Sequence, residues 1–322
     1  MTKEYQFPVA SIASTPIDDA ASSPDTNTTC SFGRFIPAMI TPFDTTLDLD
    51  LNRAQQLALR LIEGGADALV VNGTTGESPT VFYPQKRELF KAVLAAVDNR
   101  VPIIANVGDN CTADSVAFAR EVAHLGVNGL MCVVPYYNKP PQQGIYLHFK
   151  AIAEQVELPI ILYNIPGRCV VNMEAQTTLR LAHDMPNIVA VKEASGDLEQ
   201  VSAIIRDAPR GFKVYSGDDE ETLSLMKAGG WGVISTIGNV APAPMKALVE
   251  AAAQGEWTKA RELHQRLVPL MRELFVTANP IMVKEALRLA GFDCGGVRLP
   301  LVDATSAQSA RLREVMLTVG IP

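Results

Sequence analysis

Residues Asn187 to Gly196 read NIVAVKEASG. Ile188, Val189, Ala190 and Val191 run directly into Lys192. The run is short, rich in β-branched residues and apolar on both faces, which is the pattern of a strand buried in a parallel sheet. Side chains alternate along a strand, so Lys192 is expected to share a face with Ile188 and Ala190. An ammonium on a buried face is costly unless it is paired or loses its proton. Two readings follow. Lys192 is a strand-end lysine whose amine snorkels to water, or it is a desolvated neutral amine that attacks a carbonyl and forms a Schiff base.

The flanking sequence repeats this strand in different dress. FIPAMITP (35–42), ALVVNG (68–73), VPIIANV (101–107), GLMCVVPYYN (129–138), PIILYNIP (159–166), FKVYSGDD (212–219) and GVISTIGNV (232–240) are all short apolar runs. Helical periodicity separates them: Asp50–Glu63 stopped by Gly64-Gly65, Lys86–Val97, Ala113–Leu125 before Gly126, Gln142–Val156, Met173–Ala182, Leu198–Arg206 and Glu220–Ala228. Strand and helix alternate about eight times over roughly 200 residues, the count and length of a (β/α)8 TIM barrel. A doubly wound dinucleotide fold would show a G-x-G-x-x-G turn after a strand, and none is present. After Ala241 the pattern turns purely helical, through PMKALVEAAAQG, EWTKARELHQRLVPLMRELF, NPIMVKEALRLAG and a last helix near Ser306–Leu317. The expected organisation is a disordered leader over 1–33, a barrel with the catalytic site over 34–253, and a C-terminal helical extension over 254–322.

Composition narrows the function classes. The 322 residues are 48% hydrophobic, ample for a full core, and carry a net charge of −7. That balance argues against nucleic acid or an anionic membrane as a partner, and no stretch is long and apolar enough to span a bilayer. Residues 1–33 are dominated by Ser, Thr, Ala, Asp and Pro. They have neither the basic start and apolar core of a signal peptide nor the Arg content of a transit peptide. Cys30, Cys111, Cys132, Cys169 and Cys294 are scattered, and the histidines lack ligand spacing. Reduced thiols, a cytoplasmic location and no metal are the expectation.

In a barrel the chemistry sits at the C-terminal strand ends. Those ends read Asn72-Gly73-Thr74-Thr75-Gly76-Glu77-Ser78, Pro135-Tyr136-Tyr137-Asn138, Tyr163-Asn164-Ile165-Pro166-Gly167-Arg168, Lys192, and Ser216-Gly217-Asp218-Asp219. Gly73 and Gly76 permit close approach of backbone to a ligand, or simply make a turn. The N–H groups of Thr74 and Thr75 are suited to a small carboxylate. Tyr163, ending an apolar strand, is either a proton donor and acceptor beside Lys192 or a buried tyrosine with one hydrogen bond. Tyr136-Tyr137 suits packing or an interface as well as a site. Arg168 suits a second carboxylate at the entrance, or is a surface arginine.

GTTGES, PYYN, YNIPGR and VKEASG, in this order, resemble the dihydrodipicolinate synthase and N-acetylneuraminate lyase superfamily of class I aldolases, from about Phe35 to the C-terminus. The arginine of YNIPGR is similar to the dihydrodipicolinate synthase branch. The resemblance implies condensation of pyruvate with aspartate semialdehyde in the diaminopimelate and lysine pathway, without metal or organic cofactor. It implies Lys192 as the Schiff-base lysine and Tyr163 as the proton relay. Thr74 and Tyr137 complete that relay, Tyr137 being lent across a tight dimer interface. Thr75 would bind the pyruvate carboxylate and Arg168 the carboxylate of the semialdehyde, with the backbone of Gly217 and Ile234 lining the pyruvate site. The family usually has Thr where this chain has Cys169, which bears on the second substrate. A homotetramer of two tight dimers is implied. So is a lysine-binding regulatory site at Ser78, Pro79, Tyr83, Lys86, Asn110, Asp114 and Tyr136. Lys86 there stands where lysine-sensitive members commonly have histidine, and this predicts weak or absent feedback inhibition by lysine. The competing readings are a related pyruvate aldolase or 2-keto-acid dehydratase with another partner, and a keto-acid-binding paralogue without turnover.

Overall fold

The computed structural model describes residues 32–321. Cys30 and all of the expected leader except Phe32 and Gly33 lie outside that range. Eight short strands form the centre: β1 (Phe35–Pro37), β2 (Leu69–Val71), β3 (Ile103–Asn106), β4 (Gly129–Val133), β5 (Ile160–Asn164), β6 (Ile188–Glu193), β7 (Lys213–Ser216) and β8 (Gly232–Ser235). They are hydrogen-bonded in the order β1-β8-β7-β6-β5-β4-β3-β2, and every pairing is parallel. The circle closes between β1 and β2. Ala38 bridges Val70 in parallel register, and the Met39 N–H donates to the Val70 carbonyl at 2.9 Å. The expected (β/α)8 TIM barrel is therefore the observed architecture.

Two apolar layers result from strand alternation. Ile36, Ala68, Val70, Ile104, Met131, Ile161, Tyr163, Ala190, Tyr215 and Ile234 fill the barrel interior. Leu69, Val71, Ile103, Leu130, Cys132, Leu162 and Val191 face the surrounding helices. One expectation is corrected here. Ile188 belongs to the outer layer, whereas Ala190 belongs to the inner one. The register explains it: Ile160 pairs with Ile188 but Ile161 pairs with Ala190, leaving Val189 as the extra residue of a bulge. A bulge puts two residues of one strand opposite one of its neighbour and re-aims the chain beyond it. Lys192 thereby stands level with Tyr163 on β5 and Tyr215 on β7, both interior residues.

The helices follow from apolar stripes and end signals. In α1 (Leu51–Glu63), Asp50 accepts the Arg53 N–H at the N-terminus, and Ala54, Leu57, Ala58 and Leu61 are buried. Burying each leucine contributes about 1.5–3 kcal/mol relative to exposure. Gly65, at φ +94, takes the left-handed turn that stops the helix. The remaining helices are α2 (Tyr83–Val97), α3 (Thr112–Ala123), α4 (Gln142–Ala153), α5 (Pro166–Cys169), α6 (Ala175–Asp184), α7 (Leu198–Asp207), α8 (Thr222–Lys227), α9 (Pro242–Ala253), α10 (Trp257–Glu273), α11 (Ile281–Leu289) and α12 (Ser306–Val319). The single turn α5 was not visible in the sequence pattern, and α8 is shorter than the stretch Glu220–Ala228 suggests. Helices α10 and α11 each pack against α12.

Phe32 and Gly33 belong to the barrel. Phe32 is buried in the interior layer at the N-terminal end, where a side chain on Gly129 would strike its ring. The Gly33 carbonyl accepts from Trp231 Nε1 and from the Tyr215 hydroxyl, both at 2.8 Å. Among the described residues, no helix is long and apolar enough to cross a membrane.

Candidate active site

The bulge and register of β6 bring Lys192 into the mouth of the barrel, 5% exposed. Its Nζ lies 4.2 Å from the centre of the Tyr163 ring. Among the described residues no carboxylate lies within ion-pairing distance of it. Burial pulls the amine down from the usual lysine range to about 8. Asp219 and Asp218 oppose this from a distance, and the Arg168 charge reinforces it. At pH 7 about a tenth of such amines are neutral, against roughly 0.03% for a free lysine. Gly217 makes room for the side chain, since a Cβ there would lie 3.1 Å from Lys192 Cε and 2.7 Å from Ala194 Cβ. Ile234 contributes a fully buried interior position on β8.

Tyr163 is buried beside the lysine, and its hydroxyl is pushed up to about 12. Burial is the main cause; Arg168 and a hydrogen bond with Thr74 pull the other way. A neutral phenol at this point can give a proton and take one back. Thr74 and Thr75 reach the site from the turn after β2. That turn is closed by the Gly76 N–H donating to Gly73 O and the Glu77 N–H donating to Thr74 O, each at 3.0 Å. Gly76 is needed for the chain itself, because a Cβ would sit 2.8 Å from Asn72 Cα. Gly73 is under no such constraint, its nearest neighbour being Met131 Cε at 3.4 Å. Thr75 is buried, with Oγ1 accepting from Asn279 Nδ2 at 2.9 Å and lying 3.5 Å from Thr236 Oγ1.

Arg168 stands exposed on α5, the single turn that Pro166 opens, and its charge acts on both Lys192 and Tyr163. It joins Thr74, Ile165 and Cys169 in lining a cleft of about 430 Å3. Cys169 is buried, and its thiol donates to Val134 O. Tyr137 is different. Like Lys192, Tyr163 and Thr75 it does not line the cleft, but those three are buried whereas Tyr137 is 87% exposed, and it has φ +73, a left-handed backbone that costs a tyrosine energy.

The same cleft holds Ser78, Pro79, Tyr83, Lys86 and Tyr136 of the suggested regulatory set. Lys86 is buried and donates to Ser78 Oγ at 3.1 Å. Burial lowers its amine, while Asp109 draws it up. Asn110 and Asp114 lie outside the cleft lining, although the Asp114 charge acts on Tyr83. Asp109, which no sequence motif marks, accepts from the Tyr83 hydroxyl at 3.5 Å and from Tyr136. Nothing in VGDN distinguishes it from any loop aspartate. Asp219 follows β7 at the strand end that the sequence marks. It is buried and accepts from Ser235 Oγ at 2.6 Å and from the N–H groups of Thr236 and Ile237 at 2.9 and 2.8 Å, which pins the end of β8. Burial pushes its carboxyl up to about 6.

The site thus combines a buried unpaired amine, a phenol at its side, a hydroxyl-bearing turn and an arginine at the rim. Such a set can form an imine with a keto acid, move protons at the adjacent carbon and hold a second anionic substrate. Comparison with known proteins gives the same direction. Residues 31–318 match the sequence model of the dihydrodipicolinate synthetase family. The chain is 50% identical over 291 residues to the 4-hydroxy-tetrahydrodipicolinate synthase of Symbiobacterium thermophilum, covering 90% of this chain and 99% of that one. It is 52% identical over 290 residues to the enzyme of the same name from Moorella thermoacetica, with 90% and 99% covered. In three dimensions it superposes on the dihydrodipicolinate synthase of Cyanidioschyzon merolae, solved with lysine bound, with a TM-score of 0.89, 45% identity, and 90% and 99% of the two chains covered. The chain belongs to the dihydrodipicolinate synthetase family.

Proposed function

We propose that this chain is a 4-hydroxy-tetrahydrodipicolinate synthase, condensing pyruvate with L-aspartate 4-semialdehyde through an imine on Lys192. The observation that carries this reading is the lysine amine at about 8, buried without a carboxylate partner beside Tyr163. The neutral amine attacks the pyruvate ketone and water leaves, giving an imine. Protonated, the imine draws electrons from the methyl carbon, which loses a proton and becomes an enamine. Tyr163 carries that proton, with Thr74 next in the relay. Tyr137 reaches this relay from a second copy of the chain, which accounts for a tyrosine held outward at a cost in backbone strain. The assembly is a homotetramer built from two such dimers, working in the cytoplasm.

Thr75 holds the pyruvate carboxylate, alongside the backbone of Gly217 and Ile234. Arg168 engages the carboxylate of the semialdehyde as the enamine attacks its aldehyde carbon. The amine of the adduct then displaces Lys192 from the imine carbon, closing the ring and freeing the enzyme without metal or organic cofactor. The Ser78–Tyr83–Lys86–Tyr136 side of the cleft, with Asn110 and Asp114 nearby, is the regulatory face. It takes lysine weakly, because the buried Lys86 amine opposes a second ammonium.

The test is turnover of purified protein with pyruvate and each of several aldehydes. Aspartate semialdehyde should be consumed with formation of a cyclic imine product. Turnover of sugar-acid aldehydes in its place would move the chain to another pyruvate aldolase activity. Pyruvate binding without any turnover would make it a non-catalytic paralogue.

A further inference from the structure

The turn that bears Thr74 and Thr75 is tied twice to a segment more than two hundred residues later. Asn279, just before α11, donates from Nδ2 to Thr75 Oγ1 at 2.9 Å. One turn into α11, Lys284 Nζ lies 2.6 Å from Glu77 Oε1, with both side chains buried. Lys284 also donates to Gly296 O at 2.7 Å, and the Arg298 N–H donates to Glu77 Oε2 at 2.9 Å. Arg298 adds bonds to Leu47 O, Thr80 O and Gln85 Oε1. Glu77 itself has φ +54, a left-handed backbone that this pairing holds in place.

Within that frame the Asn279 amide has one job. It is 6% exposed, and its Oδ1 has no partner among the described residues. A buried amide with half its capacity unmet is costly. The bond it does make falls on a hydroxyl of the site. By donating, Asn279 occupies a lone pair of Thr75 Oγ1 and leaves the hydroxyl hydrogen to be given elsewhere. The one other hydroxyl recorded against it among the described residues, Thr236 Oγ1, is 3.5 Å away, at the outer limit of a hydrogen bond. The hydrogen is therefore available to an anion in the barrel mouth.

We infer that Asn279 is a positioning residue: it sets the donor direction of the Thr75 hydroxyl toward the substrate carboxylate, and so brings the segment before α11 into pyruvate recognition. The inference rests on the assignment of the pyruvate carboxylate to Thr75. The test is a cycle of Asn279→Ala, Asn279→Asp, Thr75→Val and the Asn279→Ala/Thr75→Val double variant in the full chain. Thermal melting is followed for each, and steady-state kinetics are measured with pyruvate and aspartate semialdehyde. Asn279→Ala should raise the pyruvate KM about tenfold, with kcat and the semialdehyde KM changed by less than about twofold. Asn279→Asp is isosteric, so it tests the idea even where the alanine variant fails to fold. Its carboxylate would accept the Thr75 hydrogen and repel the substrate anion, and its pyruvate KM should rise further. In the Thr75→Val background Asn279→Ala should add less than about twofold, because the group it acts through is gone. Full additivity in that background, or an Asn279→Asp enzyme with the parent's pyruvate KM, would overturn the inference. A Thr75→Val enzyme with the parent's pyruvate KM would instead overturn the placement of the carboxylate on Thr75.

Discussion

Two lysines are buried in this barrel to almost the same degree and meet opposite fates. Lys192 is 5% exposed and Lys284 3%. Burial draws both amines down from the usual range. Lys284 has Glu77 at 2.6 Å and the Gly296 carbonyl at 2.7 Å, so its charge is answered where it stands. Each amine also lies over an aromatic ring, Phe43 at 4.0 Å for Lys284 and Tyr163 at 4.2 Å for Lys192, but Lys192 has no ion pair among the described residues. Burial alone therefore does not make a nucleophile. A paired buried ammonium is a structural clamp, and an unpaired one is an amine ready to lose its proton.

Exchanging the two roles is the sharpest way to break this contrast. Lys192→Ala should lower turnover by at least about 10^4-fold, roughly 5 kcal/mol, because the nucleophile that forms the imine is gone. The companion Lys192→Met should keep the fold. Between pH 8 and 10.5 the unfolded chain holds more protons at this lysine than the folded one. The parent's stability should therefore rise with pH across that window, and denaturant titrations of Lys192→Met should lack this part of the rise. An equally steep rise in the variant would show that Lys192 is not the group responsible.

Lys284→Ala should do the reverse, costing about 3–5 kcal/mol of stability by stranding Glu77. Replacing both partners with apolar residues of similar size, Glu77→Met with Lys284→Met, should recover most of that loss in chemical denaturation. Should the double variant be as unstable as the single one, the pair is not what holds the turn.

Tyr163→Phe probes what surrounds the unpaired amine. It should slow imine formation and turnover by about 10^2-fold or more, while borohydride still traps some pyruvate on Lys192. Arg168→Ala should leave the imine intact and cost about 1.5–3 kcal/mol in kcat/KM for the semialdehyde, one to two decades. Impaired pyruvate binding with an unchanged semialdehyde KM would place Arg168 in the wrong role. The smallest effect concerns a third buried lysine, Lys86, bonded to Ser78. Lysine titration of the initial rate at limiting pyruvate should show weak inhibition, and Lys86→His should be more sensitive. Strong inhibition of the parent would contradict this.

Much of this contrast was legible in the sequence, but only one side of it. Strand and helix periods alternate cleanly, and polar residues gather at the strand ends, so the barrel and the positions of Lys192, Tyr163 and Arg168 could be read from local patterns. The bulge at Val189 could not, because β6 is apolar on both faces and either register looks equally good. The partners of buried groups were also hidden. Glu77 meets Lys284, and Thr75 meets Asn279, across more than two hundred residues, and no spacing rule connects them. Asp109 sits in a loop whose composition signals a turn and nothing else.

If Lys192 reacts because it is buried and unpaired, its amine must carry both the label and the pH dependence. Borohydride trapping of the pyruvate imine, with peptide mapping and rates measured from pH 6 to 9.5, tests it most directly. A single reduced pyruvate should appear on the peptide containing Lys192, and the trapping rate should climb with pH and level off near the amine's value of about 8. Label on Lys284 or any other lysine, or a rate still climbing through pH 9.5 as for an ordinary lysine, would contradict it.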